Sequence, residues 1–414
     1  MTFFCLLFAS NVNKQMSPSL LQLQSLGMQD LFLTKDPQIN VFKYSYYRHV
    51  NFATEVCKLH LNESATFGKK TTCDIPKRGH LLSKLYLHLK LPALTKTSGE
   101  YACYSNNLGH AIFSDPIELE VGGVVIDKVY PQFLDVMNEL TSSSKREGKN
   151  LMLLKSELSS ASLYNANKTV DLMIPLEFWF TKQYSSALPL LSMYSQDVRV
   201  HFKFRKNSQV VNFDGSTGPL DVSILESNVY AEYIFLDEAI ANTFQKQKHM
   251  YIIEQTQYNG DEVIPLRTFA YNSTLKFNNP VKEIVFCCVE KVNRDNNNYF
   301  VYSKSTDDSP IISEAALLID GHKRFESLPE FFYRTVYPDC AHSVIPLKYI
   351  YCMPFAIAPE DNQPTGSINM SRFNDVVLSL KLNGSSAESL LYVFAVSYNV
   401  LTIHEGAFTL EFAV

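Results

Sequence analysis

The stretch Ile117-Glu-Leu-Glu-Val-Gly-Gly-Val-Val-Ile126 decides the fold. Ile117, Leu119 and Val121 alternate with two glutamates, the two-residue period of a half-buried strand, and Gly122-Gly123 is a tight-turn signal, so the segment reads as a β-hairpin. A counterpart lies far downstream, where Ala315-Ala-Leu-Leu-Ile319 meets Asp320-Gly321. Two further pairs flank it. Ile75-Pro76 leads into Leu85-Tyr-Leu-His-Leu89, as Asn279-Pro280 leads into Glu283-Ile-Val-Phe-Cys-Cys-Val289. Ile174-Pro-Leu176 precedes Phe178-Trp-Phe180, as Ile345-Pro-Leu347 precedes Tyr349-Ile-Tyr351. The order is kept while the spacing drifts as loop lengths would make it, so the chain reads as two copies of one β-domain.

The rest of the chain agrees. Val200, Phe202 and Phe204 alternate with Arg199, His201 and Lys203, and similar short runs cover Lys84–Lys90, Asn228–Phe235 and Val376–Leu382. Turn signals separate them at Asp214-Gly215, Asn259-Gly260 and Asn383-Gly384. Helical periodicity is confined to Pro131–Thr141, with Phe133, Val136, Met137 and Leu140 on one face, and to Asp237–Lys248, with Asp237 as N-cap. Many strands, few helices and long connections predict an all-β chain of two tandem eight-stranded jelly-roll sandwiches. The polar, turn-rich stretch 206–221 reads as the linker. The expected organisation is an N-terminal arm over 1–28, a first jelly roll over 29–205 and a second over 222–414.

Composition removes several classes of function. With 46 % hydrophobic residues the 414-residue chain can bury a large core and is not disordered. A net charge of −5 and a pI near 6.1 lack the basic excess of a nucleic-acid binder, so no direct nucleic-acid contact is expected. The 28 Phe and 23 Tyr favour pleated surfaces. Eight cysteines include no C-x-x-C pair and read as buried thiols of a reducing compartment. The apolar run Phe3–Ala9 has no preceding Lys or Arg, which argues against a signal peptide, and Met16 offers a second start. Leu390–Ile403, interrupted by Ser397 and Asn399, is too short to span a membrane as a helix and reads as one or two strands.

No motif carries catalysis. The ten histidines include no H-x-H pair and no H-E-x-x-H, so the clustered imidazoles of a jelly-roll metal site are missing and the histidines read as satisfied core or surface residues. There is no G-x-S-x-G elbow. Gly68-Lys-Lys-Thr71 lacks the first glycine of a phosphate loop and reads as a solvated basic loop. The adjacent acids Glu360 and Asp361 read as solvated. Sequons occur at Asn62, Asn167, Asn272, Asn369 and Asn383, with no N-glycosylation expected in a reducing compartment. The expectation is a non-enzyme with no catalytic, cofactor-binding or metal-binding residues and no cofactor.

Longer phrases narrow this further. Gly27-Met-Gln-Asp-Leu-Phe-Leu-Thr34, Phe42-Lys43, Tyr47-Arg-His-Val-Asn-Phe-Ala53, Ile75-Pro-Lys-Arg-Gly79 and Val121-Gly-Gly-Val-Val-Ile-Asp127 come in order. Ile174-Pro-Leu-Glu-Phe-Trp-Phe180, Ala187-Leu-Pro-Leu190, Leu236-Asp-Glu238, Ile253-Glu-Gln255 and Phe277-Asn-Asn-Pro-Val-Lys-Glu283 follow. Pro359-Glu-Asp-Asn-Gln-Pro-Thr-Gly366, Asn369-Met-Ser-Arg-Phe373 and Tyr398-Asn-Val-Leu401 complete the set. Together they resemble the major capsid proteins of nucleocytoplasmic large DNA viruses across residues 27–403. The resemblance implies a double jelly roll whose homotrimers have a pseudo-hexagonal outline and tile an icosahedral shell in the virion. It further implies assembly in the host cytoplasm, minor capsid and penton proteins as partners, and an internal viral membrane reached through the N-terminal arm. Residues 1–15 match nothing in that family, the tail His404–Val414 lacks its glycine-rich ending, and the loops are short, which implies low surface towers. Two other readings fit a β-sandwich chain: a double-jelly-roll scaffold that shapes a membrane and is then shed, and a glycan-binding or glycan-processing protein. The latter needs paired acids in a cleft or a metal cluster, and the sequence offers neither.

Overall fold

The computed structural model describes residues 18–94, 102–141, 143–155, 168–213, 222–384 and 387–412. The run Phe3–Ala9, the sequon at Asn167 and the second half of the expected linker lie outside them. The chain divides into two units, residues 1–51 and 52–414. In the first, the helices Pro18–Gln24 and Leu31–Thr34 bury no residue.

The second unit holds sixteen sandwich strands. The first eight are β1 (Phe52–His60), β2 (Lys70–Ile75), β3 (Leu81–Leu91), β4 (Ile117–Val121), β5 (Val124–Val129), β6 (Val170–Pro175), β7 (Val198–Lys203) and β8 (Glu226–Leu236). The second eight are β9 (His249–Tyr258), β10 (Ala270–Thr274), β11 (Pro280–Glu290), β12 (Ile312–Ile319), β13 (His322–Pro329), β14 (Tyr351–Pro354), β15 (Val376–Leu382) and β16 (Ser389–His404). The first eight form two antiparallel sheets in the order β1-β8-β3-β6 and β2-β7-β4-β5. The second eight form β9-β16-β11-β14 and β10-β15-β12-β13. Each strand of the second set occupies the place of the strand eight earlier, so one topology is built twice.

Local chemistry explains the match. The β4–β5 and β12–β13 hairpins close over two residues, with Val121 opposite Val124 and Ile319 opposite His322. The loop residues all have positive φ: Gly122 +57°, Gly123 +85°, Asp320 +46° and Gly321 +79°. A two-residue turn of this hand needs that backbone, which explains Gly-Gly in one copy and Asp-Gly in the other. Alternation sets the burial. Along β7, Val198, Val200 and Phe202 face the first core while Arg199, His201 and Lys203 face outward or sit half-buried.

The structure moves two boundaries. β8 falls within 222–414, the range expected to be the second jelly roll, yet it lies between β1 and β3 in register from Phe52↔Leu236 to Glu226↔Lys90. Its inward Val229, Ala231 and Tyr233 belong to the first core. The final strand of a jelly roll returns to the middle of its own sheet, so 206–221 precedes that strand and does not separate the domains. The other boundary is at the start, because residues 29–51 carry no sandwich strand and the first begins at Phe52. The third repeat pair is also out of register. Ile174 and Pro175 end β6, whereas Ile345-Pro-Leu347 precedes β14.

Candidate functional site

With no catalytic residue expected, the informative site is the seam where the sandwiches meet. It begins with the helix Pro131–Leu140, which leaves β5 with Pro in its first turn, where the missing N–H costs nothing. Its Val136 and Leu140 pack with Ala111 against Val285, Cys287, Val289, Cys352 and Phe394 of the second sandwich. Tyr130 and Phe133 pack against Phe394 as tilted ring pairs with centroids 5.7 and 5.6 Å apart.

One turn from this apolar stripe the same helix buries two acids. Asp135 accepts from Asn107 Nδ2 at 2.9 Å and Lys155 Nζ at 3.0 Å, both from the first half of the chain. It also accepts from Tyr302 Oη at 3.0 Å and Lys348 Nζ at 2.7 Å, both from the second. Glu139, one turn on, accepts from Lys155 at 2.6 Å. Burial alone would push the Asp135 carboxyl up, but Lys155 and Lys348 outweigh it and hold it well below the usual carboxylate range. Nearby, burial pushes the His110 imidazole down to about 3, so it stays neutral. The Asp135 carboxylate thus takes four protein donors.

A second charged node lies on the other side of the helix. Glu254 of β9 accepts from Lys182, which follows β6, and from Lys282 of β11. Lys282 also donates to the Pro359 carbonyl at 2.5 Å. Glu283 of β11 meets His342 Nε2 at 2.9 Å, and His342 Nδ1 meets Glu360 at 3.3 Å. Burial would lower the His342 pKa, but Glu283 foremost and then Glu360 carry it up to about 12, so the ring is a cation. Glu360 is held down to about 2 against burial by hydrogen bonds from His342 and Ser343. Expected to be solvated, Glu360 is therefore half of an ion pair; its neighbour Asp361 is exposed. Lys84, Trp179, Glu254 and Glu283 line a cavity of about 600 Å³ here. Asp127 lies between this cavity and a smaller one of about 280 Å³.

The tail completes the seam. β16 is one 16-residue strand over the stretch read as one or two. Leu391, Val393 and Ala395 belong to the second core, Leu390, Tyr392 and Phe394 to the seam, and Leu401 and Ile403 to the first core. The chain then turns at Glu405-Gly406 and Ala407–Leu410 pairs back on β16, placing Phe408 in the first core. Gly406 O accepts from Ser195 N at 3.3 Å and Oγ at 2.5 Å, and Phe408 N donates to Gln196 Oε1 at 2.8 Å.

Sequence reasoning found none of the seam ions, because each partner is remote in the chain. The available signals were Asp135 and Glu139 one turn apart beside an apolar stripe, and Lys282-Glu283 breaking the apolar run of β11. Of the other flagged residues, Thr71 is buried, unlike the rest of its loop. Gly68, Lys69 and Lys70 are exposed. Among the described residues Cys57, Cys73, Cys103, Cys287, Cys288 and Cys352 are buried and Cys340 is exposed. No group of three or more His, Cys, Asp or Glu among the described residues is placed to hold a metal ion.

Comparison with known proteins now has a geometry to explain. Residues 40–237 match the family described as major capsid protein N-terminus, and residues 241–409 match large eukaryotic DNA virus major capsid protein. The division falls just after β8, where the sheet pairing changes sandwich. The major capsid protein of Pyramimonas orientalis virus is 31 % identical, with 94 % of this chain and 98 % of that protein covered. The major capsid protein of Paramecium bursaria Chlorella virus 1 is 27 % identical, with 96 % and 100 % covered. Among solved structures, a chain of the capsid of that Chlorella virus superposes with a TM-score of 0.79 at 22 % identity, covering 91 % of this chain and 100 % of that one. Two sandwiches of one topology, fused through a buried ionic seam and matched over nearly their whole length, lead to one conclusion: the chain belongs to the major capsid protein family of large eukaryotic DNA viruses.

Proposed function

We propose that the chain is the structural coat subunit of an icosahedral shell, acting as a homotrimer with a pseudo-hexagonal outline. The observation that carries this is the doubled strand order. Two equivalent sandwiches per subunit, repeated by a threefold axis, give six similar corners, which a flat hexagonal lattice requires, and closed symmetry covers each flank without an open filament. The seam supports the same reading, since apolar packing and buried ion pairs lock the two sandwiches into a fixed block. The domain division we propose runs from Phe52 to Leu236 for the first jelly roll and from about 241 onward for the second.

In this reading the subunit works in the virion and is assembled in the host cytoplasm. Its partners are two further copies, neighbouring capsomers, and minor capsid and penton proteins. The arm over 1–28 is the segment we assign to the internal membrane. The proteins it resembles are structural, and no cofactor or nucleic acid enters the proposal. Light scattering on purified protein at micromolar concentration is expected to give about three times 47.1 kDa, and negative-stain images threefold discs. A folded, soluble protein that stays monomeric would overturn the reading. Finding the protein abundant in purified particles separates a coat from a scaffold that is shed.

A further inference from the structure

The segment just ahead of β1 has the wrong surface for a chain that ends its contacts within itself. Phe42 is 99 % exposed, Tyr44 81 %, Tyr46 85 % and Tyr47 97 %, and Ile39 and Val41 are exposed as well. Segments that stay disordered are poor in aromatic and apolar residues; this one is rich in both. Tyr44 to Tyr47 run without helix, turn or ladder. Phe42, Tyr44 and Tyr46 fall at the two-residue period of a strand, and the rings of Tyr44 and Tyr46 lie 5.0 Å apart, which places them on one face. This is the pattern of a half-buried strand with no sheet beneath it.

We propose that residues 39–51 of one subunit add as a strand to an open sheet edge of a neighbouring copy of this chain, anchored by Phe42, Tyr44 and Tyr46. The inference rests on the capsomer reading, which brings copies side by side. Three observations select a second copy as the partner. The segment carries Lys43 and Arg48 and no carboxylate, in a chain of net charge −5, so a copy of the chain is its electrostatic complement. It runs straight into β1, which pairs with β8 alone in its sheet and so stands at an edge. Open edges are also present to receive it, for β10 pairs along its length only with β15 and is largely exposed. Strand addition supplies main-chain hydrogen bonds for affinity and alternate side-chain contacts for specificity. The four aromatic side chains bring about 150–250 Å² each to such a contact, so each arm brings roughly 600–1,000 Å², about the share one partner contributes to a standard-size interface.

The test is hydrogen exchange on the full-length protein, measured above and below its association concentration. The amides of Tyr44–Tyr47 are expected to exchange at least about tenfold more slowly in the assembled protein than in the diluted monomer. Phe42→Ser/Tyr44→Ser/Tyr46→Ser is expected to abolish that protection and weaken self-association at least about tenfold, since buried aromatic anchors dominate interfaces. Because none of these side chains belongs to the sandwich cores, the melting of the monomer should not change. Phe42→Leu/Tyr44→Phe/Tyr46→Phe should keep the protection. Vesicles containing phosphatidylserine, added to the monomer, should leave exchange as it was. A trimer whose arm exchanges freely, a serine variant that associates normally, or protection produced by vesicles alone overturns this inference and leaves the capsomer reading standing. Absence of any oligomer overturns both.

Discussion

Lys348, on the approach to β14, donates to Asp135 on a helix of the first sandwich at 2.7 Å. The two residues lie far apart in sequence and in different jelly rolls, yet the carboxylate is fully buried. An ion pair of this kind contributes little net stability when intact, because desolvating both charges offsets their attraction, but removing one partner strands the other.

Asp135→Ala is therefore expected to cost about 3–5 kcal/mol, because Lys155 would keep only Glu139 and the buried donors of Asn107 and Tyr302 would lose their acceptor. Asp135→Leu combined with Glu139→Leu and Lys155→Met, which leaves only the part-exposed Lys348 without its carboxylates, should recover part of that loss. Urea titration of the three proteins checks both statements; a cost below about 1 kcal/mol for the single change would mean that the seam is not held by this carboxylate.

His342 has a folded-state pKa raised from 6.5 to about 12 by Glu283 and Glu360. Its contribution is complete below pH 6.5 and is lost as the pH climbs toward 12, since the unfolded ring gives up its proton first. His342→Gln should consequently be most destabilising at pH 6, with the gap to the parent protein closing at pH 8 and again at pH 10. Unfolding free energies at those three values test the direction. A gap that widens with pH would contradict it.

Asp127 shifts stability with pH in the same direction, but as a cost that grows with pH and not as a gain that is lost. Burial raises its carboxyl from 3.8 to about 7, against backbone hydrogen bonds from Trp179 and Lys128. Above pH 7 the folded protein holds a poorly solvated charge, and between 7 and 3.8 it takes up a proton that the unfolded chain does not, so that cost fades as the pH falls. Asp127→Asn is expected to stabilise the protein at pH 8 and to make little difference near pH 4, as read from thermal midpoints.

Gly79 sits in the loop ahead of β3, where a β-carbon would lie 2.6 Å from Cβ of Tyr233 on β8. Its φ is ordinary, so the constraint is space and not backbone strain. Gly79→Ala should cost about 1–3 kcal/mol through overpacking, and Tyr233→Ala, which keeps the β-carbon that Gly79 faces, should add the cost of a cavity without removing that clash. A double-mutant cycle measured by denaturation separates the two effects.

Phe408 belongs to the first core although it follows the last strand of the second sandwich. Phe408→Ala should cost about 3–5 kcal/mol as a core truncation. The single tryptophan, Trp179, is buried beside Tyr251 at 6.2 Å and reports on the seam. In the parent protein its fluorescence and far-ultraviolet circular dichroism should melt together; in the Phe408 variant the tryptophan signal should move first.

The architecture was legible because it is written locally. Strand alternation, Gly122-Gly123 and Asp320-Gly321 are near-neighbour signals, and the doubled hairpin exposed the duplication directly. β8 was misassigned because its own pattern says only that it is a strand; which sheet receives it depends on non-local pairing with β1 and β3. The polar loop before it looked like a domain boundary for the same reason. The seam was illegible for a stronger reason. Asp135, Lys155, Tyr302 and Lys348 become one cluster only after both sandwiches have formed, and a lone lysine or aspartate in sequence looks the same whether it ends in water or in a core. Likewise Glu360, next to a solvated acid, gave no hint of His342.

The 16-residue strand β16, which lends side chains to both cores, has a mechanical consequence. At about 3.4 Å per residue it runs on the order of 50 Å, a continuous tie from one sandwich to the other. Parting the sandwiches would pull Leu401, Ile403 and Phe408 out of one core or Leu391, Val393 and Ala395 out of the other. Neither sandwich can then leave its neighbour while staying whole, and the folded-back Phe408 holds the strand in place like a knot in a cord.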